Sequence, residues 1–225
     1  KKFICFLPIV AKAWKKFFPQ VDIAVAFVTN RAFNDPLVEE MKRHAEVVLF
    51  SDIDGIPSAN LAKVSRFILA SRLSGISMIE DIDTIPLQKK FFKTITAKRK
   101  KNTLLAVGAE VLEGTPHEGK FPISTMSAEG LVFRSMINPK NLSYFDLIRS
   151  WEGIRVHDRK ENIKNPPGDF SDESLMRALI GRWDKESKLV THIERNVDIH
   201  NEWIDRTWWN IDEEKLGKGK YITCN

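Results

Sequence analysis

Three acids close an apolar run in Ser77-Met78-Ile79-Glu80-Asp81-Ile82-Asp83-Thr84-Ile85-Pro86, and their chemistry is that of a cation site. Carboxylate oxygens are hard donors. Side chains two positions apart on an extended backbone project to one side, so Asp81 and Asp83 would converge on a single divalent ion. The same acids would also serve as a solvated turn after a strand, and only their place in the fold separates the two readings. A second pair, Asp52-Ile53-Asp54, likewise follows an apolar run. Further on, Asp169, Asp172 and Glu173 precede Leu175, Met176, Leu179 and Ile180, which recur at helical spacing. Acids in a first turn cap a helix and complement its dipole. The functional alternative is that one of the three, Asp172 first, meets a substrate as base or nucleophile.

The elements around these residues alternate. Apolar β-rich runs at 3–10, 21–28, 47–50 and 76–80 are separated by helical patterns at 11–18, 35–44 and 61–73, the last stopped at Gly75. That order predicts an α/β fold with a mostly parallel central sheet flanked by helices. In such sheets ligands bind outside the carboxyl ends of the strands, where Asp81 and Asp83 would stand. Crossover helices begin at the same edge, which brings Lys63 and Arg66 near the acids. These two cations lie three apart and share a helix face, while Leu61, Val64 and Ile68 take the apolar one. A cationic pair, a helix N-terminus and a metal-binding acid pair at one edge would suit a nucleoside diphosphate; ordinary surface charge is the plainer alternative for Lys63 and Arg66. Beyond these, 103–107 and 130–133 read as strands, 108–125 as an irregular substrate loop, 141–151 and 169 onward as helices, and the chain ends in a further strand. The small residues from Ser124 to Ala128 would let a ligand approach the backbone.

Composition bounds the answer more loosely. With 225 residues, 43% hydrophobic and 29% charged, the chain suits one large domain. No apolar run reaches the roughly 20 residues of a membrane span, and an intracellular, cytoplasmic address is expected. Two cysteines at opposite ends, Cys5 and Cys224, form neither a disulfide framework nor a zinc motif. The net charge is +5, and Lys89, Lys90, Lys93, Lys98, Arg99, Lys100 and Lys101 cluster without an intervening acid. Interleaved Phe91, Phe92, Ile95 and Ala97 would pack such a helix inward. Its outer face would be solvated or would meet phosphate, nucleic acid or anionic lipid.

Taken together, the basic helix with Lys63 and Arg66, the turn at Gly75, the strand 76–80 and Asp81-x-Asp83 followed by Ile85-Pro86 resemble the donor-binding half of GT-A nucleotide-sugar glycosyltransferases. The resemblance runs from about residue 3 to residue 135, where Ser127-Ala128-Glu129-Gly130 is similar to the acceptor-side strand. In size the chain also resembles the compact amino-terminal glycosyltransferase modules of large chlorella-virus proteins, which would place it in host cytoplasm. The resemblance implies a single GT-A-like, Rossmann-type domain, with residues 1–110 binding the nucleotide sugar and residues 111–225 forming the acceptor side. It implies transfer of a hexosyl or deoxyhexosyl group from a nucleoside-diphosphate donor, a UDP-sugar first, to a hydroxyl of a glycan or glycoprotein. Asp83 would bind Mn²⁺ or Mg²⁺, with Asp81 reaching the metal through water or contacting the donor ribose. Lys63 and Arg66 would face the diphosphate; Pro8, Ile9 and Asn30 would line the base and ribose pocket; Ser127 and Gly130 would lie on the acceptor side. Asp172 would be the base of an inverting reaction, with Asp169 and Glu173 as alternatives. Many of these enzymes carry a late histidine as a third ligand, and here only His200, beside Asp198, could stand in.

Two other readings stay open. The stretch from Val47 to Gly55 resembles the first motif of haloacid-dehalogenase-like phosphatases, with Asp52 as nucleophile and Asp54 as acid/base. It departs at Ile56, where that family has a hydroxyl residue, and at Pro57. The second is a non-catalytic domain that binds nucleic acid through the Lys89 to Lys101 segment, although no nucleic-acid partner follows from the glycosyltransferase reading.

Overall fold

The computed structural model describes residues 4–87, 89–108, 121, 123, 125–151, 172–186, 188–193, 203–204, 214, 218 and 223–224. Its first element corrects the sequence reading. Residues 3–10 were expected as a strand, but a 3-10 turn at Ile4–Phe6 leads into helix α1, Leu7–Phe17. The physical reason is spacing: Leu7, Val10 and Ala11 recur at i, i+3 and i+4, and these are the buried residues of α1. Pro8 fits because the first helical turn has no N–H partner to lose.

From there the alternation holds. Strand β1 is Ala24–Val28, helix α2 Pro36–Lys42, strand β2 Glu46–Phe50, helix α3 Ser58–Arg72 and strand β3 Ile76–Glu80. Asp35 caps α2 by accepting from the backbone N–H of Leu37 at 2.9 Å, with Pro36 in the first turn. Gly75, at φ 81°, supplies the left-handed step from α3 into β3. Strand β4 is Ile85–Pro86, helix α4 Lys89–Lys98 and strand β5 Leu104–Val107. Strand β6 occupies Thr125–Glu129, within the stretch of small residues that starts at Ser124, and the expected strand at 130–133 belongs instead to helix α5, Gly130–Ile137. Residues 144–151 form α6, and α7 spans Asp172–Trp183. Strands β7, Val190–Ile193, β8, Trp203–Ile204, and β9, Thr223–Cys224, complete the seven helices and nine strands of the described residues.

The fold is mixed α/β. A parallel pair β1-β2 stands beside a four-stranded sheet ordered β3-β6-β5-β7 and a small sheet ordered β4-β9-β8. Among the described residues three pairings are parallel and three antiparallel, so the sheets are mixed rather than mostly parallel. Hydrophobic pattern reports which face of a strand is buried and carries no record of strand direction.

Layering follows from alternation along the strands. Ala24, Ala26, Val28, Val48, Phe50, Ile79 and Leu104 pack with α3, α5, α6 and α7. Their neighbours Val25, Phe27, Val47, Leu49, Met78, Leu105 and Val107 pack instead with α1, α2 and α4. Helices therefore cover both faces of the strands. The innermost helix is α3, which packs against β1, β3, α5 and α7 and buries Leu61, Val64, Phe67 and Ile68 to 1% exposure or less. Its buried hydroxyls are satisfied locally, Ser65 donating to the carbonyl of Leu61 and Ser71 to that of Ile68.

Candidate functional site around Arg66

Helix α3 carries Arg66 on the side that faces the end of β3 and the start of α7. The guanidinium Nη1 donates to Asp81 Oδ1, and Nη2 donates to Asp172 Oδ2 at 2.9 Å. Its Nε donates to the carbonyl of Lys63 at 3.1 Å, which fixes the fork against its own helix. One cation thus joins acids from two elements, Asp81 just past β3 and Asp172 in the first turn of α7. The cluster is largely dry: the side chains of Arg66 and Asp172 are 18% and 9% exposed.

Burial sets the electrostatics. Desolvation pushes the Asp172 carboxyl above its ordinary value, against the opposing pull of Arg66 and Lys63. Burial alone would lower the Arg66 guanidinium, yet Asp81 and Asp172 hold it above its ordinary value, so it stays charged. A buried cation between two carboxylates is a preorganised charge arrangement that a polar ligand could enter by exchanging partners.

The acid pair itself sits on a different backbone from the one expected. Residues 81–84 form a turn, with the N–H of Thr84 donating to the carbonyl of Asp81 at 3.0 Å, rather than an extended strand end. The turn is held between β3 and β4, and Thr84 is buried. Asp81 and Asp83 remain partly exposed. Two carboxylates on a turn offer hard oxygen donors that fit a divalent cation as a partial ligand set, with anionic ligand oxygens or water to complete it. Among the described residues no three His, Cys, Asp or Glu side chains gather around one point.

The other predicted residues are dispersed. Lys63 is exposed on α3, close enough to Asp172 to influence its ionisation. Glu173 follows Asp172 in α7, and its carbonyl accepts from the N–H of Phe121 at 3.4 Å. Asn30 lies two residues beyond β1, where its Oδ1 accepts from the N–H of Asp52 at 3.1 Å. It therefore ties the β1 loop to the β2 loop. Pro8 and Ile9 stand in the first turn of α1 rather than at a strand end, and Ile9 is 57% exposed. Ser127 is buried in the middle of the sheet, donating to the carbonyl of Ser77 at 3.1 Å.

Gly130 has a packing role. A Cβ there would stand 1.9 Å from the carbonyl oxygen of Leu73, and its N–H donates to the carbonyl of Gly75 at 2.8 Å. The start of α5 thus presses onto the end of α3. Asp169, His200 and most of the expected substrate loop lie outside the described residues.

The rival pair behaves differently. Asp52 is partly buried and Asp54 exposed. Asp52 Oδ1 is a buried atom without a hydrogen-bond partner among the described residues, and the buried Tyr144 hydroxyl stands close to Ser65 and Asp52. Sequence reasoning did not find Tyr144, whose ring lies 5.1 Å from that of Phe50. It also missed Asp184, whose carboxylate accepts from the N–H groups of Lys188, Leu189 and Val190 and so fixes the step from α7 into β7. A local Asp followed four to six residues later by a strand is a weak signal; Tyr144 has none.

Comparisons with protein-family models and with curated proteins give no match.

Proposed function

We propose that the chain is a GT-A-type glycosyltransferase that uses a nucleoside-diphosphate sugar, UDP-linked first, and passes the glycosyl group to a hydroxyl of a glycan. The observation that carries this reading is Arg66 joining Asp81, at the carboxyl end of β3, to Asp172, at the start of α7. A transfer of this kind needs positive charge against a departing diphosphate and a base beside the acceptor hydroxyl. The Arg66 cluster puts groups suited to both tasks within one side chain's reach.

Asp81 and Asp83 would hold Mn²⁺ or Mg²⁺, which when bound supplies positive charge against the leaving group. The protein's own residues do the rest. Arg66, kept charged by its acids, turns its fork toward phosphate oxygens as the donor enters. Asp172 accepts the proton of the acceptor hydroxyl in an inverting transfer. Its raised affinity for a proton makes it a stronger base than an exposed aspartate would be. The dryness around both groups strengthens each interaction.

The test is a thermal-shift screen of nucleotide sugars with and without Mn²⁺. A ligand that binds only the folded chain raises its melting temperature, by about 2.7 kcal/mol of stabilisation at a hundredfold excess over Kd. A shift that needs both UDP-sugar and Mn²⁺ is expected. No shift with any nucleotide sugar, together with hydrolysis of a generic phosphoester that is lost in Asp52→Ala, would replace this reading with the phosphatase one.

A further inference from the structure

Helices α1 and α4 cover the same side of the strands, and each turns exposed lysines to solvent away from the Arg66 site. They are locked side by side by aromatic contacts: Trp14 meets Phe92 edge-on at 4.7 Å, and Phe18 meets Phe92 at 5.8 Å. With Phe91, Phe92 and Ile95 turned into the core, α4 presents Lys89 and Lys93 outward, four apart. On α1 the exposed residues Ile9, Lys12 and Lys16 fall on one face at helical spacing. Neither helix contains an acid. Among the described residues, carboxylates of neighbouring segments pair at their borders: Asp22 lies 3.9 Å from Lys15, and Glu129 pairs with Arg99. On the same layer α2 is different, since Lys42 and Arg43 pair with Glu39 and Glu40 of their own helix.

Two exposed apolar side chains stand at the start of this face, Ile9 at 57% and Phe6 at 36%. Lysines beside protruding apolar groups match a surface that is anionic at its plane and apolar beneath it. We propose that the α1–α4 face docks onto the headgroup plane of a bilayer rich in anionic lipid, with Ile9 and Phe6 entering the interface and the lysines meeting the phosphates. A nucleic acid fits less well. Single strands need aromatic faces for their bases to stack on, and the phenylalanines of α4 are 6% and 2% exposed.

The experiment is co-sedimentation of the full chain with vesicles of phosphatidylcholine alone or with roughly 30% phosphatidylserine added, at roughly physiological salt. Binding to the anionic vesicles only is expected. Each lysine near such a surface adds about fivefold to partitioning, so K12E/K16E/K89E/K93E should lower it at least about a hundredfold. Ile9→Ser should lower it about threefold or more, since a partly buried aliphatic side chain is lost from the interface. All five residues are exposed, and an unchanged circular-dichroism spectrum and melting temperature show that each variant is folded. Equal binding to both vesicle types, no binding to either, an unaffected quadruple variant, or tighter binding to a single-stranded oligonucleotide than to anionic vesicles would overturn the proposal.

Discussion

Two loops of this protein carry the same Asp-Ile-Asp sequence after a strand, and the fold treats them in opposite ways. The loop after β3 is met by a buried arginine from α3, which also gathers Asp172 from the far end of the chain. The loop after β2 is met by the amide side chain of Asn30, and among the described residues a carboxylate oxygen of Asp52 stays buried without a hydrogen-bond partner. A motif of two acids therefore means little until a cation from another element is placed against it. The partner carries the information.

The sharpest way to break this contrast is to neutralise one loop at a time. On the proposed function, Asp83→Ala should reduce Mn²⁺-dependent turnover of a nucleotide sugar by a factor of about a thousand, the scale of losing an electrostatic stabiliser. Asp54→Ala should leave it within about twofold. Equal losses would mean that the second loop also serves the site.

Stability offers an independent comparison. Arg66→Met leaves Asp81 and Asp172 facing one another without their cation and should cost about 3–5 kcal/mol in urea unfolding. Arg72, exposed near the end of the same helix with its guanidinium 5.2 Å from the ring of Phe50, should cost under about 1 kcal/mol as Arg72→Met. Adding Asp172→Leu to Arg66→Met should recover part of the first loss, because the buried charge goes with its partner.

The titration of Asp172 has a definite sign. Folding raises the affinity of this carboxyl for its proton, so the folded chain binds more protons than the unfolded one between the ordinary value of 3.8 and the raised one. The contribution is fully present below the unfolded value and is lost as pH rises through the folded one. Unfolding of the parent chain compared with Asp172→Asn should therefore show the parent losing relative stability across that window and levelling off above it. A difference that grows more favourable to the parent with rising pH would place Asp172 in a better-solvated setting than its burial indicates. The smallest effect belongs to the first turn of α6: Tyr144→Phe removes a buried hydroxyl that stands near Ser65 and Asp52 and should change stability by about 1 kcal/mol or less.

Much of the scaffold was legible because its signals are local. Asp35-Pro36 starts α2, Gly75 ends the step from α3, and the apolar runs of β1, β2 and β3 fall where expected. The failures are local as well. Residues 3–10 are rich in residues that favour strands, yet the spacing of Leu7, Val10 and Ala11 decides for a helix. Residues 125–129 form a strand because β6 lies between β3 and β5, where its backbone is paired on both sides and Thr125 to Ala128 are buried. For the site, Lys63, Arg66, Asp81 and Asp172 are each legible in the chain as candidates, and α/β geometry brings Lys63 and Arg66 to the acids after β3; nothing local places Asp172 there. That one guanidinium holds two of the acids was not legible, since residues 66 and 172 share no periodicity or motif. Nor was the turn at 81–84, which an alternating pattern cannot distinguish from a strand end.

The placement of β6 bears on how the chain is made. Strands β3 and β5 emerge first, and both pair with β6, β5 also with the later β7. At a synthesis rate of about 5–20 residues per second, both present bare backbone edges for about a second or more before residues 125–129 arrive between them. Until β6 arrives, the chain through β5 therefore carries open strand edges, the kind of species chaperones retain.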